Sequence, residues 1–217
     1  MKKHFALAFA VILLVIACKK DNPIQQDPAP PAPPVPPPNY TPMSTGSYWV
    51  YEWYVVDSSG NAVVKNITDS VYITGDTIIG SYTYAIQEGT WFGFSPFRDF
   101  LRDSSGYLAN SSGRIFFSAT NYTDTLYIWN PMTGQTMGYT KMNDIGEMVS
   151  VPAGTFSTLN AEYIVVNLIG TWLCIGAFDI HDNQYADNVG KVRATFQLTP
   201  DFQCRVFEQR LVHYHIN

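Results

Sequence analysis

Apolar residues in this chain recur at every second position, and that period most restricts what it can fold into. In Lys191 to Leu198, Val192, Ala194, Phe196 and Leu198 alternate with Lys191, Arg193, Thr195 and Gln197. In Ser81 to Gln87, Tyr82, Tyr84 and Ile86 alternate with Ser81, Thr83, Ala85 and Gln87. A period of two places alternate side chains on one face of a strand. The predicted core faces are therefore Val192/Ala194/Phe196/Leu198 and Tyr82/Tyr84/Ile86. Tyr48 to Val56 (YWVYEWYVV) reads as a strand with aromatic residues on both faces. No window after residue 43 carries the 3.6-residue period of a long amphipathic helix.

Turn signals punctuate these runs. Asp57-Ser-Ser-Gly60, Asp103-Ser-Ser-Gly106 and Asn110-Ser-Ser-Gly113 are near copies, and Thr74-Gly75-Asp76 and Asn130-Pro131-Met-Thr-Gly134 continue the series. Glycine tolerates positive φ, and Asx and Ser side chains close turns onto the backbone. Strands are expected near 48–56, 69–74, 81–88, 98–103, 114–119, 124–129, 135–141, 145–151, 159–169, 171–180, 189–199 and 202–214, some ten of them real. Short strands joined by tight turns predict an all-β fold, an antiparallel meander curved into a half-barrel or closed as a barrel.

The first residues are not part of that domain. Met1-Lys2-Lys3-His4 precedes twelve apolar residues, Phe5 to Ile16, then Ala17 and Cys18. A positive start, a short apolar core and a small residue at the cut describe a secretory signal peptide, residues 1–17. Twelve helical residues span about 18 Å, too little for a hydrocarbon core of about 30 Å. Val15-Ile16-Ala17-Cys18 resembles the lipobox of bacterial lipoproteins. That resemblance implies a diacylglyceryl group (palmitate and similar chains) on the Cys18 sulfur, cleavage after Ala17 and acylation of the new amino terminus. Lys19 is not acidic, so the same resemblance implies the outer membrane, facing the periplasm or the cell surface.

Residues 18–42 form a tether on this reading. The run PIQQDPAPPAPPVPPPNYTP holds most of the chain's prolines, which remove backbone donors and favour extended polyproline II. At about 3.1 Å per residue it reaches roughly 75 Å. Residues 43–217 then suit a single domain. Apolar content is 46% and charged content 14%, which excludes disorder. Loss of Lys2 and Lys3 leaves 11 basic against 18 acidic residues, a net charge near −7, so nucleic acid is not an expected partner.

Catalytic patterns are missing from the sequence: there is no G-x-S-x-G and no S-x-x-K. The serines sit in Ser-Ser-Gly turns, where closing the turn is their ordinary role. His213 and His215 share one strand face, and Asp179, His181 and Asp182 lie on another segment. Without an H-E-x-x-H or a Cys-His cluster these predict no metal site. No cofactor is expected and no catalytic residue is assigned. Cys174 and Cys204 remain once Cys18 is acylated, and a disulfide or two free thiols are equally open. Asp69-Ser70-Val71, Asp76-Thr77-Ile78 and Asp124-Thr125-Leu126 resemble a three-residue O-glycosylation signal of exported bacterial proteins. Gly89-Thr-Trp91-Phe-Gly-Phe94-Ser-Pro-Phe97 clusters aromatics among Gly and Pro, which marks Trp91, Phe92 and Phe94 as candidate ligand-binding residues on a loop or rim.

Val151-Pro-Ala-Gly-Thr-Phe156 followed by Tyr185-Ala-Asp-Asn-Val-Gly-Lys-Val192 resembles a pairing found in uncharacterised bacterial envelope proteins, in which Gly46-Ser-Tyr-Trp49-like openings also occur. Several of these resemble the half-barrel lipoprotein-carrier fold, a curved sheet with an apolar concave face. Asp187-Asn188 stands where that pattern has Pro-Gly. The family carries no agreed activity. The chain is thus expected to be a non-enzymatic, lipid-anchored envelope protein whose sheet binds an apolar or amphipathic ligand or an envelope partner. The alternatives are an assembly component of an envelope complex and a surface carbohydrate-binding accessory protein.

Overall fold

The computed structural model describes residues 37–57, 59–132, 136–167, 178–198 and 205–217. The expected signal peptide, Cys18, Cys174, Cys204 and most of the Pro-rich run lie outside them. Twelve strands follow in chain order: β1 (Tyr48–Val56), β2 (Ala62–Ile79), β3 (Tyr82–Trp91), β4 (Ser95–Asp103), β5 (Tyr107–Asn110), β6 (Ile115–Ser118), β7 (Thr125–Met132), β8 (Thr136–Val151), β9 (Gly154–Asn167), β10 (Phe178–Ala186), β11 (Gly190–Leu198) and β12 (Arg205–His215). No helix occurs among the described residues.

All twelve form one antiparallel sheet in the order β6-β5-β4-β3-β2-β1-β12-β11-β10-β9-β8-β7. The first and last strands meet at its centre, Trp49 opposite Tyr214 and Trp53 opposite Gln209. The two edges, β6 and β7, are therefore neighbours in sequence. The sheet curls until they approach, giving a nearly closed barrel, as the period of two and the tight turns predict. Side chains cover the seam between the edges. The Ser118 N–H reaches the Met142 sulfur at 3.3 Å, and the Arg114 guanidinium lies over the Tyr127 and Tyr163 rings. An edge covered in this way offers no free template for another chain.

Some strand boundaries differ from the sequence expectation for local reasons. The predicted strands 135–141 and 145–151 are one strand, β8, bent by irregular pairing between Asn143 and Glu147, where Asp144 and Gly146 take φ of 45° and 80°. β5 was not predicted; four residues between two turns are too few to show alternation. β10 runs to Ala186 rather than ending at residue 180, and residues 171–177 lie outside the description.

The three Ser-Ser-Gly turns fold in two ways. Asp57 and Asn110 each bond across five residues, to Asn61 and Arg114, with their Oδ1 atoms accepting backbone N–H groups inside the loop. At Asp103-Ser-Ser-Gly106 the turn is two residues long, and Ser104 and Tyr107 exchange both backbone bonds. Ser105 and Gly106 there take φ of 57° and 85°, the mirror-image turn that suits strand twist.

Two apolar clusters line the interior. One joins Trp49, Tyr51, Ile73, Ala85, Val149, Val192 and Leu211; the other joins Leu101, Leu108, Phe117, Met142, Leu159 and Tyr185. The Val151–Phe156 hairpin helps close one barrel end. β12 pairs with β11 only as far as Arg210, so the Leu211 carbonyl has no ladder partner there, and the Ala153 N–H donates to it at 3.0 Å. Asn39 to Met43 crosses the same end. The Asn39 N–H donates to Asp187 Oδ1 and its carbonyl accepts from the Asn188 N–H, while Met43 packs against both clusters. Asn188 takes φ of 56°, supplying the left-handed residue that glycine supplies in the related sequence pattern.

Candidate functional site

β1 sets the interior by simple alternation. Trp49, Tyr51 and Trp53 point inward and are almost wholly buried, while Tyr48, Glu52 and Tyr54 face out. Trp53 lies at the centre of an aromatic group. Trp91 meets it edge-on at 4.9 Å and Phe92 at 4.8 Å, and Phe196 lies tilted against it at 5.3 Å.

A buried carboxylate holds this group together. Asp69 on β2 has no exposed surface and accepts five hydrogen bonds. Trp53 Nε1 donates at 2.6 Å, Gln209 Nε2 at 2.7 Å and the Gly93 N–H at 2.7 Å; the Phe92 N–H and the Thr90 hydroxyl donate at 3.2 and 3.4 Å. Phe92 takes φ of 55° and Gly93 80°. Such a backbone is uncommon for a bulky residue. The paired N–H groups donating to Asp69 keep the loop in that shape, and the loop in turn aims Trp91 inward.

Between the aromatic group and the end crossed by Asn39–Met43 lies a cavity of about 430 Å³. Its wall carries Trp49, Tyr51, Trp91, Phe97, Tyr163 and Phe196, with Pro42 and Met43 at the crossed end. The polar lining is Gln87, Asp99, Arg114, Thr140, His181, Asn183, Lys191 and Gln209. A mixed wall of this size falls in the range of small-molecule sites, about 300–1,000 Å³.

Lys191 reaches the cavity through a β-bulge. Gln184 pairs with Arg193 but Tyr185 pairs with Lys191, so Val192 is an extra residue in β11. The bulge turns Lys191 and Val192 both inward. The Tyr51 hydroxyl donates to the Lys191 carbonyl at 2.9 Å, and the Lys191 ammonium stands 5.9 Å from the Tyr51 ring centre. Its accessible surface faces the cavity, while the enclosing wall displaces bulk water. Burial lowers its pKa to about 8, against the opposing pull of the Asp69 charge. Burial likewise pushes the phenols of Tyr51 and Tyr185 upward. Arg114, the other cation in the wall, has its guanidinium over Phe116 at 4.8 Å and Tyr163 at 4.9 Å.

The structure separates the three predicted aromatics. Trp91 lines the cavity, Phe92 packs between Trp53 and Phe207, and Phe94 is 78% exposed at the loop tip. His181 faces the cavity between Tyr163 and Phe196, whereas on the outer face His215 stacks on Tyr48 and His213 Nε2 lies 3.0 Å from the Tyr48 hydroxyl. Among the described residues no three His, Cys, Asp or Glu side chains gather as metal ligands. Asp69, part of a glycosylation-like triplet, is a structural acceptor.

Two predicted faces require correction. In β3, Ala85 and Gln87 face in, and Tyr82 and Tyr84 lie outside beneath the Arg102 guanidinium at 4.1 and 5.7 Å. In β11, Lys191 joins the inner face. Neither Asp69, expected only as part of a glycosylation-like triplet, nor Gln209 was expected at the site. Their signal was a polar residue in an otherwise apolar inward row, as in Phe207-x-Gln209-x-Leu211.

The barrel has a known counterpart. It is similar to the crystal structure of a protein from Parabacteroides distasonis described as a "putative lipoprotein", with a TM-score of 0.53 and 12% identity over 83% of this chain and all of that one. A looser likeness, TM-score 0.45 and 15% identity over 82% of this chain and all of the other, joins it to a "putative exported protein with YmcC-like fold" from Bacteroides fragilis. At such identities the likeness establishes the fold. No protein-family model and no curated protein sequence matches the chain.

Proposed function

We propose that this protein is a non-enzymatic lipoprotein of the bacterial envelope, anchored by lipid on Cys18, that holds a small apolar or amphipathic ligand inside its barrel. The cavity carries the ligand-binding part of this reading. A barrel with a filled interior needs no such space, because cores pack to the density of organic crystals. Here about 430 Å³ stays open behind Trp49, Tyr51, Trp91 and Phe97. The lipobox-like Val15–Cys18 and the fold shared with a protein described as a "putative lipoprotein" support the address. The Pro-rich run then serves as the tether between anchor and barrel, and the outer membrane is the proposed site.

Native mass spectrometry of the protein extracted from its own membrane tests both parts. The expected species begins at an acylated Cys18 and carries an added small-molecule mass that Trp91→Ala reduces. A chain without acyl groups overturns the anchor. An anchored chain with no bound mass at any collision energy overturns the ligand-binding reading.

A further inference from the structure

We infer that the barrel ligand is an anionic amphiphile with a single apolar chain and a carboxylate head, and that the Lys191 ammonium receives that head. The inference rests on the ligand-binding reading above and adds the ligand's chemical class.

Three observations carry it. First, Lys191 has no ion-pair partner among the described residues, whereas Arg98, Lys141 and Arg210 pair with Glu88, Glu162 and Glu208. The nearby Asp69 carboxylate is taken up by its five donors. A half-buried ammonium in this wall with no carboxylate at ion-pair distance, Asp69 acting on it only from further away, is unfavourable, and a Met or Leu at this position would avoid the penalty. Secondly, a bulge directs it inward. Bulges re-aim side chains and occur beside functional sites. In an unbroken ladder Lys191 would point to solvent with Arg193. Thirdly, the sign of the cavity opposes that of the protein. The chain carries −5 overall, yet the wall holds Lys191 and Arg114 against Asp99 alone. Exposed acidic groups are screened within about 8 Å at physiological salt, whereas an enclosed cation acts through little solvent.

The rest of the wall sets the remainder of the ligand. Trp49, Tyr51, Trp91, Phe97 and Phe196 offer apolar faces to a chain. The volume suits one chain and not a two-chain phospholipid. Arg114 is a weaker candidate for the head, because its charge already faces the Phe116 and Tyr163 rings.

The test compares decanoate with decan-1-ol, matched in chain length and differing in head charge. Isothermal titration at pH 7 uses the full mature chain with Cys18→Ser, so that no acyl group of its own competes. Decanoate is expected to bind at least tenfold more tightly than the alcohol, in line with a charge-assisted contact. Lys191→Met should remove that advantage while changing alcohol affinity less than about threefold, and Lys191→Arg should restore part of it. Equal binding of the two probes, or a Lys191→Met variant that binds decanoate as before, overturns the inference and leaves the ligand-binding reading intact. Failure of both probes to bind overturns both.

Discussion

Replacing Asp69 by Ala should be among the most damaging single substitutions in the barrel. The carboxylate accepts five donors, and two of them, Trp53 Nε1 and Gln209 Nε2, belong to side chains no more than 3% exposed. Each buried donor left unpaired costs about 1–3 kcal/mol. The Phe92 and Gly93 amides and the Thr90 hydroxyl are half-buried or near the loop surface, so water replaces part of what they lose. The expected net loss is about 3–5 kcal/mol, a large share of a domain stability of about 5–15 kcal/mol. For a domain of this size that is a fall in Tm of roughly 10 °C. Phe92 holds a left-handed backbone only while its N–H and that of Gly93 are bound to Asp69. The loop should therefore relax and Trp91 should leave its edge-on contact with Trp53. Urea unfolding followed by tryptophan fluorescence gives the stability, and the native emission maximum reports Trp91. Asp69→Asn keeps the shape but turns one oxygen into a donor facing donors, and should recover less than half of the loss. Asp103→Asn is the control. Asp103 also accepts a backbone N–H, from Gly106, but is exposed, and its substitution should stay within about 0.5 kcal/mol. A loss below about 1 kcal/mol for Asp69→Ala, or equal losses at 69 and 103, refutes the assignment of Asp69 as the organising acceptor.

Three further outcomes follow from the same geometry. Lys191 titrates near pH 8 in the fold and near 10.5 when unfolded, so between those values the unfolded chain binds more protons and stability should rise with pH. Asp69, Asp99, Arg114, His181, Tyr40, Tyr51, Tyr163 and Tyr185 are the titratable groups among the described residues around its end of the barrel and along the cavity. The four phenols, raised by burial, act in the opposite direction only above about pH 10; the rise between pH 8 and 10, read from urea midpoints, should vanish in Lys191→Met. Gly89→Ala should destabilise by about 2 kcal/mol or more in the same urea assay, because a Cβ there would lie 2.3 Å from the Ser70 carbonyl oxygen and 3.1 Å from Val71 Cα, both backbone atoms. Phe94→Ala should leave stability within about 0.5 kcal/mol and ligand binding unchanged, whereas Trp91→Ala should weaken both, as calorimetry and denaturation on the two variants will show.

The all-β class, the Ser-Ser-Gly turns and the absence of a helix among the described residues were legible in the sequence because they are local; Thr74-Gly75-Asp76, read as a turn, instead lies within β2, where the extra residue is a bulge between Ile73 and Gly75. Alternation over a few residues, and Asx, Ser and Gly at the breaks, report on neighbours along the chain. The boundaries of β1 and β11 came within one or two residues for that reason. The candidate site was far less legible. Of Trp91, Phe92 and Phe94, only Trp91 lines the cavity, since the loop's fold depends on Asp69, twenty-two residues earlier in the chain.

Which face of a strand becomes the interior is a property of the closed sheet. Alternation states that Tyr82 and Tyr84 share one face and Ala85 and Gln87 the other. In the closed sheet Ala85 and Gln87 stand inside, in the row that runs on to Gly89, where β2 and β3 approach too tightly for a side chain. Alternation likewise places Lys191 with Arg193, but one extra residue in the ladder turns Lys191 inward. A bulge leaves no mark in the periodicity of a single strand, because it is a mismatch between two strands. The sequence alone therefore determined a curved antiparallel sheet, with an expected lipid address at Cys18. Pairing between distant segments decided where Lys191, Asp69 and Trp91 stand, and with them the chemistry of the cavity.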